Sequence, residues 1–129
     1  DAGNARRREI AALYDNLFRK AGLAAETVAD GIVLPWTDPR AQPVFHQYCI
    51  RAPRRNALRA FFTEEGIGSE IYYPLPLHLQ ESLAFLGYKK GDLPESERAA
   101  DEVLALPIYP ELRDDEVEIV VDAVRRFYA

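Results

Sequence analysis

Val44-Phe45-His46-Gln47-Tyr48-Cys49-Ile50-Arg51-Ala52, closed by Pro53, is the stretch whose reading decides the fold. Side chains alternate along an extended chain, so Val44, His46, Tyr48, Ile50 and Ala52 share one face. Phe45, Gln47, Cys49 and Arg51 share the other. The first face is apolar apart from His46, as expected of a strand laid on helices. Proline has no N–H for a ladder, so Pro53 ends the strand.

Working outward, helical periodicity flanks this strand. Upstream, Ile10, Leu13, Tyr14, Leu17 and Phe18 recur at i, i+3, i+4, i+7 and i+8 and make one apolar stripe. Asn4 is the expected cap and Gly22 the left-handed stop. Leu23 to Pro43 carries Gly31, Pro35, Pro39 and Pro43 and reads as extended loop, with Gly31-Ile32-Val33-Leu34 a candidate short strand. Downstream, a helix starts near Arg54, buries Leu58, Phe61 and Phe62, and stops at Gly66. Ile67 to Tyr73 reads as a strand, which would send Tyr72 and Tyr73 to opposite faces. Pro74-Leu75-Pro76-Leu77 is a rigid exposed connection, and Leu79 to Leu86 a short helix ended by Gly87. Pro94 opens a helix to about Ala105 that buries Ala99, Val103 and Leu104. Leu106 to Pro110 is extended. The last helix has Asp114, Asp115 and Glu116 at its positive end and a stripe of Val117, Val120, Val121, Val124, Phe127 and Tyr128. The pattern predicts an α+β fold: a small antiparallel sheet with helices packed on it. A sheet of two or three strands usually leans on another domain.

Bulk properties narrow the function. The 129 residues make one domain, and a net charge of −5 argues against a nucleic-acid partner. Arg6-Arg7-Arg8 and Arg54-Arg55 sit at helix starts among acidic residues and read as solvated faces. Cys49, the single cysteine, has no partner for an internal disulfide and reads as a small buried side chain. No apolar run approaches a membrane span and no signal peptide is visible, so a cytoplasmic protein without a membrane partner is expected. The chain begins Asp1-Ala2-Gly3 and holds no methionine, which suggests a processed or truncated chain. Gly66-Ile67-Gly68 lacks the context of a phosphate loop, and no nucleophile elbow is present. Two histidines and one cysteine are too scattered for zinc, so no metal site is expected. His46, on a mostly apolar face, reads as a hydrogen-bonded core residue.

Chemistry concentrates in Glu70-Ile71-Tyr72-Tyr73-Pro74-Leu75-Pro76-Leu77-His78-Leu79-Gln80. Two phenols, an imidazole and an amide lie on a chain stiffened by two prolines, which lowers the entropy cost of presenting them. Tyrosine offers a stacking face and a hydroxyl, both useful toward a sugar or nucleotide. The competing reading has the tyrosines filling a core and His78 capping the next helix. Residue types alone leave both open.

Taken with its surroundings, this stretch resembles the DegT/StrS-type family of fold-type I, pyridoxal phosphate (PLP) dependent enzymes. Asn4 to Ala11 with Tyr14 resembles the helix that leaves the family's large domain. Phe45 to Arg51 resembles the first main strand of its small domain. Leu58-Arg59-Ala60-Phe61 with Gly66-Ile67-Gly68 fits the next helix and turn. Ile71 to Pro74, Pro76 to Gln80, Leu86-Gly87-Tyr88 and Leu106 to Pro110 continue the series in order.

The resemblance implies residues 1–22 as a helix leading from an absent large domain and 23–129 as a C-terminal small domain. It implies a parent aminotransferase that moves an amino group from an amino acid, expected to be glutamate, to a nucleotide-linked keto sugar. The Schiff-base lysine and the acidic partner of the cofactor ring belong to the large domain. Lys20, Lys89 and Lys90 lack the family's serine-led loop, so the chain alone should be inactive, with no catalytic or cofactor-binding residue of its own. Its implied contribution is substrate binding through Tyr72, Tyr73, His78 and Arg51. The first tyrosine position is commonly histidine in the family. Tyr72 departs from it, leaving hydrogen bonding or stacking there. Arg51 would meet the carboxylate of the amino donor. Arg113 stands where the family keeps a capping threonine or serine, which predicts a frayed start to the last helix. The parent is expected to be a homodimer with shared sites, so the isolated domain should expose apolar surface. Two alternatives remain: a relative that dehydrates or deoxygenates sugars, and a stand-alone domain that binds a partner or nucleotide sugar without catalysis.

Overall fold

A computed structural model describes residues 1–129. Four helices and two strands follow in the order α1 (Ala2–Lys20), β1 (Tyr48–Arg51), α2 (Arg55–Glu64), α3 (Pro94–Glu102), β2 (Val103–Leu106) and α4 (Asp114–Tyr128). Two 3₁₀ turns, Leu77–Leu79 and Glu81–Leu86, lie between α2 and α3. The α+β expectation holds.

The two strands pair antiparallel, with Tyr48 opposite Leu106 and Ile50 opposite Leu104. These four side chains share one face and are buried, while Cys49, Arg51, Val103 and Ala105 fall on the other. Single bridges extend the sheet on both edges, Val33 to Arg51 and Glu70 to Ala105. Under the buried face, α1 and α4 pack together. Ile10, Tyr14 and Phe18 meet Val117, Val120, Val121 and Val124 in one core, each such side chain contributing about 1.5–3 kcal/mol on leaving water. Tyr14 stacks on Tyr48 with ring centroids 4.7 Å apart. Burial pushes both phenols' pKa values up, and each keeps a partner: Tyr14 Oη donates to Pro107 O at 2.8 Å and Tyr48 Oη to Asp15 Oδ1 at 2.6 Å. Arg55, only 6% exposed, ties α2 to the far side. Its guanidinium donates to Val103 O at 2.6 Å and Ala100 O at 2.7 Å, carbonyls at the C-terminal end of α3.

Several local expectations are corrected. The strand expected over Val44–Ala52 contracts to Tyr48–Arg51, because Phe45 takes a left-handed φ of 52° and breaks the alternation. Phe45 packs against the core, while Val44 and His46 turn to solvent, so His46 is no core residue. The strand expected over Ile67–Tyr73 reduces to the Glu70 bridge. Val103 and Leu104, expected in a helix, are strand. Their ladder with β1 prevails over the helical spacing of that segment. The helix expected over Leu79–Leu86 is a 3₁₀ turn over Glu81–Leu86 rather than an α-helix. Asp1, not Asn4, caps α1, its Oδ1 accepting from Asn4 N at 3.2 Å. The start of α4 is held despite Arg113: the Glu116 carboxylate accepts from Arg113 N at 2.9 Å, the half of a capping box that needs no hydroxyl. No helix is long and apolar enough to cross a membrane.

Candidate functional site

On the sheet face away from the α1–α4 core, a depression of about 330 Å³ spans three neighbouring segments. His46 and Gln47 come from the chain entering β1, and Ser69, Glu70 and Tyr72 from the segment bridged to the other edge of β2. The floor is Ala105 to Ile108, the end of β2 and the chain leaving it. Backbone bonds hold this frame: Ala105 N donates to Glu70 O at 2.7 Å, and Glu70 N donates to Ala105 O at 3.1 Å. The Tyr14 bond to Pro107 O pins the floor to the core.

Tyr72 is 41% exposed and Tyr73 69%, and their rings meet edge to face at 5.9 Å. The expectation that they point to opposite faces is corrected. Without a strand between them and the sheet, both line one apolar groove of about 220 Å³ with Leu75, Pro76, Leu77 and Val103. Tyr72 alone borders both the groove and the depression. Its ring and hydroxyl therefore stand where the two cavities meet.

The other two expected site residues lie elsewhere. Arg51 borders a separate depression with Glu26, Thr27 and Arg98, and its guanidinium is occupied by Glu102, Nε donating to Oε2 at 2.8 Å. His78 is 7% exposed; its Nε2 lies 3.3 Å from Glu97 Oε2 and its ring stands edge-on to Tyr88. The Glu97 carboxylate also accepts from Gly91 N at 2.9 Å, and that bond, ahead of His78, holds its pKa below the usual value. His78 and Glu97 thus stitch the 3₁₀ segment to α3. The structure brings Tyr72 and Tyr73 together and leaves Arg51 and His78 outside their cavities. It adds His46 and Gln47, which alternation had assigned to strand faces. The one signal in the sequence was an imidazole on an otherwise apolar face.

These residues do not fit a PLP site. Lys20, Lys89 and Lys90 are all exposed, none borders the depression, and its lining includes no arginine. Burial pushes the half-buried Cys49 thiol up, away from nucleophilic character. No group of three His, Cys, Asp or Glu side chains is placed to hold a metal ion.

Comparison with known proteins places this geometry. The model of the DegT/DnrJ/EryC1/StrS aminotransferase family matches residues 1–125. A pleiotropic regulatory protein of Geobacillus stearothermophilus is 47% identical over 99% of the chain, and the chain spans 33% of it. A dTDP-3-amino-3,4,6-trideoxy-alpha-D-glucose transaminase of Streptomyces venezuelae is 39% identical over 98% of the chain, which spans 31% of that protein. Among solved structures, S. venezuelae DesV in complex with a ketimine intermediate superposes with a TM-score of 0.88 at 38% identity, over 98% of this chain and 32% of DesV. The chain therefore spans about a third of the relatives it matches. With the family model aligned from α1 to α4 and the same fold in the structure, the chain belongs to the DegT/DnrJ/EryC1/StrS aminotransferase family.

Proposed function

We propose that this chain is the C-terminal small domain of a PLP-dependent aminotransferase that aminates a nucleotide-linked keto sugar, with an amino acid such as glutamate as donor. The observation that carries the substrate side is Tyr72, an exposed phenol shared by an apolar groove and a depression whose walls include His46, Gln47 and Ser69. A sugar nucleotide has both characters, hydroxyls on the hexose and flat faces for stacking, and Tyr72 and Tyr73 answer both. Because the residues here do not fit the cofactor, no chemical step is assigned to them. PLP supplies amino-group transfer when bound by the rest of the enzyme. Arg51 and His78 act one step back, Arg51 through Glu102 and His78 through Glu97, by fixing the segments that carry the site. The exposed Tyr73, Leu77, Phe85 and Leu86 pack against the large domain or a second subunit of a homodimer.

The test is an assay of the full-length protein with L-glutamate and dTDP- or UDP-linked 3-keto hexoses, scored by mass spectrometry for the amino-sugar nucleotide. Formation of that product is expected, and the 129-residue chain alone is expected to give none. No product with either nucleotide and any amino donor would overturn the reading. A second reading, a binding domain without catalysis, draws support from the regulatory protein at 47% identity. It predicts sugar-nucleotide binding by the full-length protein with no turnover.

A further inference from the structure

We propose that His46 and Gln47 join Tyr72 as the wall that reads the hydroxyls of the hexose, rather than the diphosphate, of the sugar-nucleotide substrate; this deepens the reading above and rests on it. The first support is geometric. Alternation through Val44–Ala52 would bury His46 against the helices, yet Phe45 adopts a φ of 52° and reverses this. A left-handed phenylalanine is strained, and such outliers persist where the surrounding structure enforces them, often beside functional sites. Here Phe45 is held against the core, tilted over Tyr48 at 6.3 Å. The consequence is an exposed imidazole at the border of the depression that Tyr72 also borders, across the end of β2.

The second support is chemical. Around the floor stand an imidazole, an amide, the Ser69 hydroxyl and a phenol, with no lysine or arginine among the lining residues. Diphosphates are taken by guanidinium forks, ammonium groups or helix N-termini. Arg59 approaches Glu70 Oε2 at 3.6 Å but does not border the depression. Sugar hydroxyls both donate and accept, and every polar group of this wall can answer one of them. At about 330 Å³ the space suits a hexose ring better than a whole nucleotide sugar.

The experiment uses the full-length holoenzyme and calorimetric titration with two probes, dTDP-glucose and thymidine diphosphate alone. His46→Ala is expected to weaken the sugar nucleotide about fivefold to tenfold, the loss of one hydrogen bond, and to leave thymidine diphosphate unchanged. His46→Gln should recover part of the loss. Gln47→Ala should repeat the pattern independently. Equal weakening of both probes would move these residues to the diphosphate and overturn the proposal. So would affinities within twofold of wild type for both probes. If the wild-type enzyme does not bind the sugar nucleotide, the aminotransferase reading fails first. Wild-type binding that is insensitive to His46 and Gln47 sinks this inference alone.

Discussion

Phe18 and Phe85 are the same side chain on helical segments of one chain, and they end in opposite environments. Phe18 is fully buried between α1, α4 and the sheet, whereas Phe85 stands 80% exposed on the second 3₁₀ turn. Phe18 belongs to a stripe at helical spacing that meets a matching stripe on α4. Phe85 has exposed Leu86 and Tyr88 beside it and no surface of this chain to cover them. Burial is thus set by whether a complementary face exists, not by the residue. The helical side of the molecule is complete in itself. The side carrying Tyr73, Leu77 and Phe85 is apolar without a cover.

The sharpest way to break this comparison is to truncate both phenylalanines. Phe18→Ala removes a fully buried ring and is expected to cost about 3–5 kcal/mol in urea unfolding of the 129-residue chain. Phe85→Ala should stay within about 0.5 kcal/mol. Similar costs at the two positions would erase the distinction.

A second test compares two arginines. Arg55→Leu leaves the carbonyls of Ala100 and Val103 without their donor in a buried place, with an expected loss of about 2–3 kcal/mol. Arg125→Leu breaks an exposed pair with Asp122 at 2.7 Å and should cost under about 1 kcal/mol. Thermal melts of both variants decide it. An Arg55 variant as stable as wild type would mean that α3 ends well without its cap.

The same asymmetry explains what was legible in the sequence. The helical side was open to pattern reading: α1, α2 and α4 carry apolar stripes whose spacing survives in the structure, and Tyr48 and Ile50 are buried as alternation requires. Where the chain is irregular the period fails. Val103 and Leu104 sit at helical spacing behind Pro94, but their ladder with β1 makes them strand, a long-range fact no local window contains. Phe45 shows this most plainly at the site. Its backbone is left-handed and its ring packs near Tyr48, while His46 lies at the depression instead of on the predicted core face. Tyr72 and Tyr73 stood out by residue type, but their shared groove follows from the strand that did not form. The bonds that engage Arg51 and His78, to Glu102 and Glu97, pair residues 51 and 19 positions apart and were invisible to pattern.

A smaller effect probes the stitch between the two regions. Glu97 titrates below its ordinary 4.5, first through Gly91 N–H and then through His78. A carboxylate depressed in the folded state adds stability above its unfolded pKa and loses it as pH falls through the folded one. Wild type should therefore lose melting temperature more steeply than Glu97→Gln between about pH 5 and pH 3. Parallel acid limbs, followed by circular dichroism, would show that Glu97 does not hold the segment.

The smallest effect on this chain carries the most information about what is missing from its surface. Phe85→Ser should leave the stability of the 129-residue chain within about 0.5 kcal/mol while lowering its binding of a hydrophobic dye, because the ring contributes to the exposed patch and to little else. In the full-length protein the expected size differs. If the large domain or a second subunit covers this face, the ring is buried there, dye binding is weak from the start, and the serine destabilises by a core-like amount of about 3 kcal/mol. A substitution silent in the part and costly in the whole locates a contact by difference. If Phe85→Ser is silent in both, the apolar face lies open in the complete protein as well, and the packing proposed for it is wrong.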